Sequence, residues 1–237
     1  MKIKLARSAT YSADMCSIRL MNIPRRLLAW SFLLLVTPPT FLLAQRTEPN
    51  LVRPTFSNTL KLNAYADNWC LIYINGKLVA ADSIEFLPHN VVSVNILPSY
   101  PMTVAVLAKD NADATTGMEY GTQIGDAGFI LKLADGTVTD SSWKVKNFFH
   151  GPVGRNTANP QVIRTPIPAN WYTPDFDDSS WAQATEYSAA RVGPDGDFSN
   201  YDFAGAKFIW SDDLDLDNTV LLRTTIPKPA SFNKTWN

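Results

Sequence analysis

The chain has 237 residues, 21 of them Lys or Arg and 22 Asp or Glu, for a net charge of −1 at pH 7. That balance, without an Arg-rich segment, argues against a nucleic-acid partner held by phosphate neutralisation. With two cysteines, Cys16 and Cys70, there is neither a disulfide framework nor a Cys-based zinc site.

In chain order, the first feature is "MNIPRRLLAWSFLLLVTPPTFLLAQ", beginning at Met21. Arg25 and Arg26 make a positive start, Leu27 to Val36 an apolar core, and Leu42-Leu43-Ala44 a small-residue end. This is the pattern of a secretory signal peptide cut after Ala44. The unbroken apolar run is shorter than the roughly 20 residues a spanning helix needs, and Pro38-Pro39 interrupts it. Residues 1–44 therefore read as an upstream extension plus signal peptide, and the product as secreted or cell-surface, with no transmembrane anchor in the mature chain. Removing six of the 21 basic and one of the 22 acidic residues leaves 15 against 21, a net charge of −6. Cys70 then stands alone in an apolar run and is expected to be a buried thiol.

Residues 45–226 carry short runs rich in Val, Ile, Leu, Tyr and Phe between turn residues. They are "LKLNAYA", "CLIYI", "VVSVNIL", "MTVAVLAK", "GFILKLA", "KFIW" and "VLLRTTI". Recurrent short strands with turns between them predict an all-β sandwich. In "NWCLIYINGKLVAADS" an apolar run, Asn75-Gly76 and a second run predict a β-hairpin, because both positions of a type I′ turn need φ > 0. Val104, Val106 and Ala108 share one face of a strand and Ala105 and Leu107 the other. Apolar residues on both faces point to a central strand.

Two segments resist strand assignment. "HGPVGRNTANPQVIRTPIPANWYTPDFDDSSW" is too long for a plain connection and reads as a functional loop or an arm packed along the sandwich. "RVGPDGDFSNYDFAG" is a second turn-rich excursion. The echo "TDSSW" and "DDSSW" predicts two Asx- or ST-type turns, each followed by an anchoring Trp. Trp143, Trp181 and Trp210 are expected in the core, with Trp69 and Trp171 more open. Residues 227–237 read as a linker or truncated C-terminal end, since Pro227 and Pro229 break a strand.

Four stretches, "DNWCLIYINGKLVAADS", "YPMTVAVLAKDNADATTGMEYGTQIGDAGFILKLADGTVTDSSWKV", "DFDDSSWAQATEYSAARVGPDG" and "IWSDDLDLDNTVLLRTTI", follow a familiar order. This order resembles the N-terminal domain of secreted YHYH-domain proteins. More broadly it resembles the galactose-binding-like jelly rolls appended to glycoside hydrolases and sialate esterases. The resemblance implies a galactose-binding-like jelly-roll β-sandwich; the function it implies is less specific, because this fold hosts sugar binders, protein binders and spacers. The Tyr-His-Tyr-His motif itself does not occur here, so none of its chemistry is carried over.

For catalysis, His89 and His150 have no G-x-S-x-G or H-E-x-x-H neighbourhood, and no active site is expected, although a triad from distant positions stays open. A sugar site needs an aromatic platform ringed by amides and carboxylates. The candidates are Asp67, Asn68 and Trp69 before the hairpin, Asp110 and Asn111 after the "AVLAK" strand, and Glu119 and Tyr120 in "GMEYG". In "SDDLDLDN", Asp213, Asp215 and Asp217 would share one face if the run is extended, either as a solvated edge or as oxygen ligands for Ca²⁺. A structural Ca²⁺ is also what the jelly-roll resemblance implies. The function expected is a secreted, non-catalytic recognition module for carbohydrate or a glycan-bearing surface. The alternatives are a spacer or subunit contacting other extracellular proteins, and an ancillary domain of a truncated enzyme.

Overall fold

The computed structural model describes residues 51–82 and 90–236. The expected signal segment and His89 lie outside the described residues. In chain order the strands are β1 (Leu51–Val52), β2 (Leu60–Asp67), β3 (Trp69–Ile74), β4 (Lys77–Ala81), β5 (Val91–Ile96), β6 (Met102–Lys109) and β7 (Gly128–Leu133). They continue with β8 (Lys144–His150), β9 (Ile163–Arg164), β10 (Ala182–Gln183), β11 (Thr185–Tyr187), β12 (Phe208–Trp210), β13 (Asp217–Ile226) and β14 (Thr235–Trp236). The larger sheet runs β10-β8-β13-β6-β3-β4 with β9 beside β8, and the smaller runs β11-β12-β7-β2-β5. Pairing within both sheets is antiparallel. The chain is an all-β sandwich. Among the described residues no helix is long and apolar enough to cross a membrane.

Period-two side-chain alternation builds the layer between the sheets. Leu62, Ala64 and Ala66 of β2 and Phe129, Leu131 and Leu133 of β7 meet Cys70 and Ile72 of β3 and Val104, Val106 and Ala108 of β6 in one buried cluster. Each fully buried Leu, Ile, Val or Phe stabilises the fold by about 1.5–3 kcal/mol. Cys70 is buried, as expected, and burial pushes its thiol pKa upward. The β3–β4 hairpin turns at Asn75 (φ +47°) and Gly76 (φ +78°), the two positive-φ positions its dipeptide announces.

The outer face of the larger sheet carries a second apolar cluster, which explains why β6 is apolar on both sides. Ala105, Phe148 and Leu221 are covered by Trp171 and Trp181, with Tyr73, Tyr172 and Phe176 packed around them. The long Pro-rich segment is thus an arm laid across the sheet. Trp171, expected to be open, is only 5 % exposed, because Tyr73 meets it edge-on at 5.3 Å while stacking on Tyr172 at 4.6 Å. Arg223 of β13, 2 % exposed, pins the arm: its Nε donates to Asp178 Oδ2 at 2.7 Å, and its other nitrogens donate to the carbonyls of Trp171 and Thr173.

Both Asp-Ser-Ser-Trp turns form. The Trp143 amide donates to Asp140 O at 3.3 Å and the Trp181 amide to Asp178 O at 2.9 Å. Asp140 Oδ1 and the preceding Asp177 Oδ1 accept from the Ser142 (2.8 Å) and Ser179 (3.0 Å) amides, and Trp143, Trp181 and Trp210 are buried. β8 is an addition to the expected strands. Its sequence, "KVKNFFH", lacks a clean alternation, and its pairing with β13 shifts register between Asp217 and Val220. The final segment, expected to be a linker, packs back instead. β14 pairs in parallel with β1, and Trp236 Nε1 donates to Pro98 O at 2.5 Å. Two residues of strand and one indole anchor suffice there, because the prolines lie upstream of the paired positions.

Candidate functional site

Antiparallel pairing collects the ends of β2 and β6 and the starts of β3, β7 and β13 at one end of the sandwich. Asp67 pairs with Gly128, Trp69 with Lys109, and Thr219 with Lys109. The chain turns sharply from β2 to β3 through a cis peptide between Asp67 and Asn68. The Asn68 amide donates to Lys109 O at 2.9 Å, and its side-chain Oδ1 accepts from the Asn111 amide at 2.6 Å. Asp110 Oδ1 accepts from the same amide at 2.7 Å, and the Asp110 amide donates to Asn218 O at 3.0 Å.

Above this junction lies the loop of residues 111–127. Asp113 organises its first turn by accepting from the amides and hydroxyls of Thr115 and Thr116, which hold its carboxyl at about 2. Gly117 (φ +70°) presses against Gly151, where a Cβ would come within 2.5 Å of the Gly151 carbonyl carbon. Gly125 packs so closely on Asp110 that a Cβ there would meet Oδ2 at 1.8 Å. Glycine is required at 117 both for the positive φ and for the close approach.

The electrostatics of this end are those of crowded, buried acids. Asp67, Asp110 and Glu119 are all buried. Burial pushes Asp67 up to about 8, with the negative charges of Asp126, Glu119 and Asp195 adding to the effect. Asp110 is also raised well above the ordinary carboxylate range, first by burial and then by the adjacent, hydrogen-bonded Glu119 carboxyl. Near neutral pH the Asp67 carboxyl therefore retains its proton.

Five of the sequence-predicted residues therefore come together: Asp67, Asn68, Asp110, Asn111 and Glu119. Four of them, all but Asn111, are buried and form the base of the loop cluster rather than its surface. Tyr120 sits at the loop tip, 62 % exposed and at positive φ (+46°), away from the base. Trp69 is half-buried, its Nε1 donating to Asp82 O at 3.1 Å and the Lys109 ammonium lying 5.5 Å from its ring centroid.

Beside the base, on the outer face of the larger sheet, an open groove of about 490 Å³ runs past Trp69, Leu71 and Leu107 to Phe149, Arg164 and Ile167. Arg164 stands over the Phe149 ring, 4.3 Å from its centroid, and donates to Ala114 O. Phe149, Arg164 and Ile167 carry no motif. The only hint of them in the sequence is the pair of aromatic residues in "NFFH" before an arm too long for a connection. Asp110 reaches the groove's edge, so the acidic base and the groove share a wall.

The acidic run departs from its expected extended form. Residues 214–216 form a turn: Asp213 Oδ1 accepts from the amides of Asp215 (3.2 Å) and Leu216 (3.0 Å), while Leu214 and Leu216 are buried. Asp215 faces Arg155 (2.8 Å) and Arg191, and Asp217 faces inward to Asn147 Nδ2 (2.6 Å) and His150 Nδ1 (2.7 Å). Burial raises the pKa of Asp217 despite these partners. Asp213, Asp215 and Asp217 thus point to three different sets of partners, because burying the two leucines in a turn outweighs the alternation of a strand. Among the described residues no group of three or more His, Cys, Asp or Glu is placed to hold a metal ion, so the Ca²⁺ that the resemblance implies has no fitting donor set at this run.

What the end can do chemically is present a fixed indole edge and apolar floor, flanked by two cations and a stiffened polar loop. In comparisons with protein-family models, with curated proteins and with solved structures, nothing matches this chain.

Proposed function

We propose that the chain is an exported, non-catalytic module that recognises carbohydrate on a glycan-bearing surface, built on a galactose-binding-like jelly roll. The observation that carries this reading is the open groove beside Trp69, an aromatic and aliphatic surface bordered by Lys109, Arg164 and Asp110. A pyranose offers an apolar ring face for stacking and hydroxyls for planar polar groups, and the groove supplies both. The topology supports the jelly roll: the chain leaves one sheet for the other between β2 and β3, β4 and β5, β5 and β6, β6 and β7, and β7 and β8. The Arg25-Arg26 start and apolar run that follows support export.

A glycan-array screen of the purified protein, repeated with Trp69→Ala, tests the reading. Binding is expected to fall at least about tenfold on loss of the indole, in keeping with about 1.5 kcal/mol or more for an aromatic contact, and to be unaffected by a chelator. A blank array overturns the carbohydrate reading in favour of a structural module, and binding of uncharged glycans that survives the substitution removes the Trp69 groove as the site.

A further inference from the structure

The opposite end of the sandwich carries a separate cleft lined by lysines. β3 ends at Ile74, beside Val104 of β6, five residue steps or about 17 Å of strand from Trp69. There the Asn75-Gly76 turn, the segment entering β6 and the C-terminal segment enclose an open cleft of about 790 Å³. Its walls are fixed. Asn75 holds the turn with both side-chain atoms, Nδ2 donating to Ser99 O (2.8 Å) and Oδ1 accepting from the Thr103 amide (2.7 Å). Trp236 is fixed by its bond to Pro98 O and lies edge-on to Phe232 (6.0 Å), which lies edge-on to Tyr100 (4.9 Å).

Three lysines line this cleft: Lys77, Lys228 and Lys234. All three are exposed, and none belongs to an ion pair among the described residues. The Lys234 ammonium lies 5.8 Å from the Trp236 ring centroid. The neighbouring Asp135 carboxylate lies outside the cleft lining and accepts from the Tyr100 hydroxyl at 2.5 Å. Like charges gathered in one concavity raise the local concentration of counter-ions and favour an anionic ligand. The cleft has the volume of a small-ligand site, and its fixed aromatic rings suit a ring-shaped ligand with an apolar face.

From this we infer that the cleft bounded by Lys77, Lys228, Lys234, Tyr100, Phe232 and Trp236 binds an anionic saccharide, a sugar chain bearing carboxylate or sulfate groups. The inference does not rest on the reading of the Trp69 groove. Three ammonium groups spaced around aromatic rings match a short charged oligosaccharide. A nucleic-acid strand would need a longer basic track than three lysines provide.

The test is calorimetric titration of the full-length protein with tetragalacturonate and with a sulfated tetrasaccharide, which separates the carboxylate from the sulfate source. Uncharged galactotetraose, poly-L-glutamate and a thymidine oligonucleotide are run alongside. At least one anionic saccharide is expected to bind, and to weaken severalfold between ~0.05 and ~0.5 M salt as the charges are screened. Combining Lys77→Glu, Lys228→Glu and Lys234→Glu should weaken it more than about tenfold with the melting temperature unchanged, since exposed charges contribute little to stability. Trp69→Ala should leave it intact. Absence of binding by both anionic saccharides, equal binding of galactotetraose, poly-L-glutamate or the oligonucleotide, or full affinity in the triple variant overturns the inference.

Discussion

The two ends of the sandwich are made by the same strands and treat charge in opposite ways. At the Asp67 end, acids are pulled inside, where burial raises their pKa values and keeps a proton among them. At the Lys77 end, lysines stay outside and keep their charge available to a ligand. The difference lies in what covers each end. The loop of residues 111–127, with Gly117 and Gly125 allowing close approach, seals the first end. The second is walled by a two-residue turn and a peripheral segment that leave a cleft open. Charge alone therefore does not mark a binding surface; solvent access decides whether a charged group serves folding or recognition.

The sharpest way to separate the ends is to loosen the arm between them. Arg223→Ala leaves the Asp178 carboxylate and the Trp171 and Thr173 carbonyls without their guanidinium, and it is expected to destabilise the protein by about 3–5 kcal/mol. Urea denaturation measures the loss. The arm also supplies Arg164 and Ile167 to the Trp69 groove, so protease sensitivity should appear in the arm while the lysine cleft keeps its ligand.

A second test uses pH. Asp67 in the folded protein has a pKa of about 8, above the unfolded carboxylate value of about 4, so the folded state holds a proton that the unfolded chain has already released. Its contribution to stability is fully present below about pH 4 and is lost as pH rises toward 8. Asp67→Asn should therefore stabilise the protein on the order of 3 kcal/mol at pH 8 and change little at pH 4. Melting temperatures across that range check it, and an unaltered pH profile would refute the picture of a proton-retaining end.

The smallest of these effects comes from the seal itself. Gly117→Ala adds a Cβ against the Gly151 backbone at a positive φ and is expected to cost about 1–3 kcal/mol. It should speed hydrogen exchange in residues 111–127 and leave exchange in β3 and β4 near the lysine cleft unaltered.

The sandwich was legible because its core strands announce themselves. The alternation in Val104–Lys109, the Asn75-Gly76 turn and the two Asp-Ser-Ser-Trp turns depend on neighbours a few residues away, and such local preferences survive into the fold. β8 was not legible, because its register shift against β13 breaks the period that would reveal it. The candidate site was half legible: turn chemistry at Asp67-Asn68-Trp69 and Asp110-Asn111 marked one end of the sandwich, but not which side chains would face solvent.

By itself, then, the sequence determined the all-β class, the hairpin, the anchoring tryptophans and the gathering of Asp67, Asp110 and Glu119 at one end. Only the tertiary structure decided that those acids lie inside, that Trp171 and Arg223 clamp an arm across the larger sheet, that the acidic run coils around Leu214 and Leu216, and that Lys77 shares a cleft with the distant Lys228 and Lys234. The reason is physical. Period and turn propensity are carried by residues adjacent in sequence, whereas burial, pKa and cleft shape depend on which distant segments pack across the sheets.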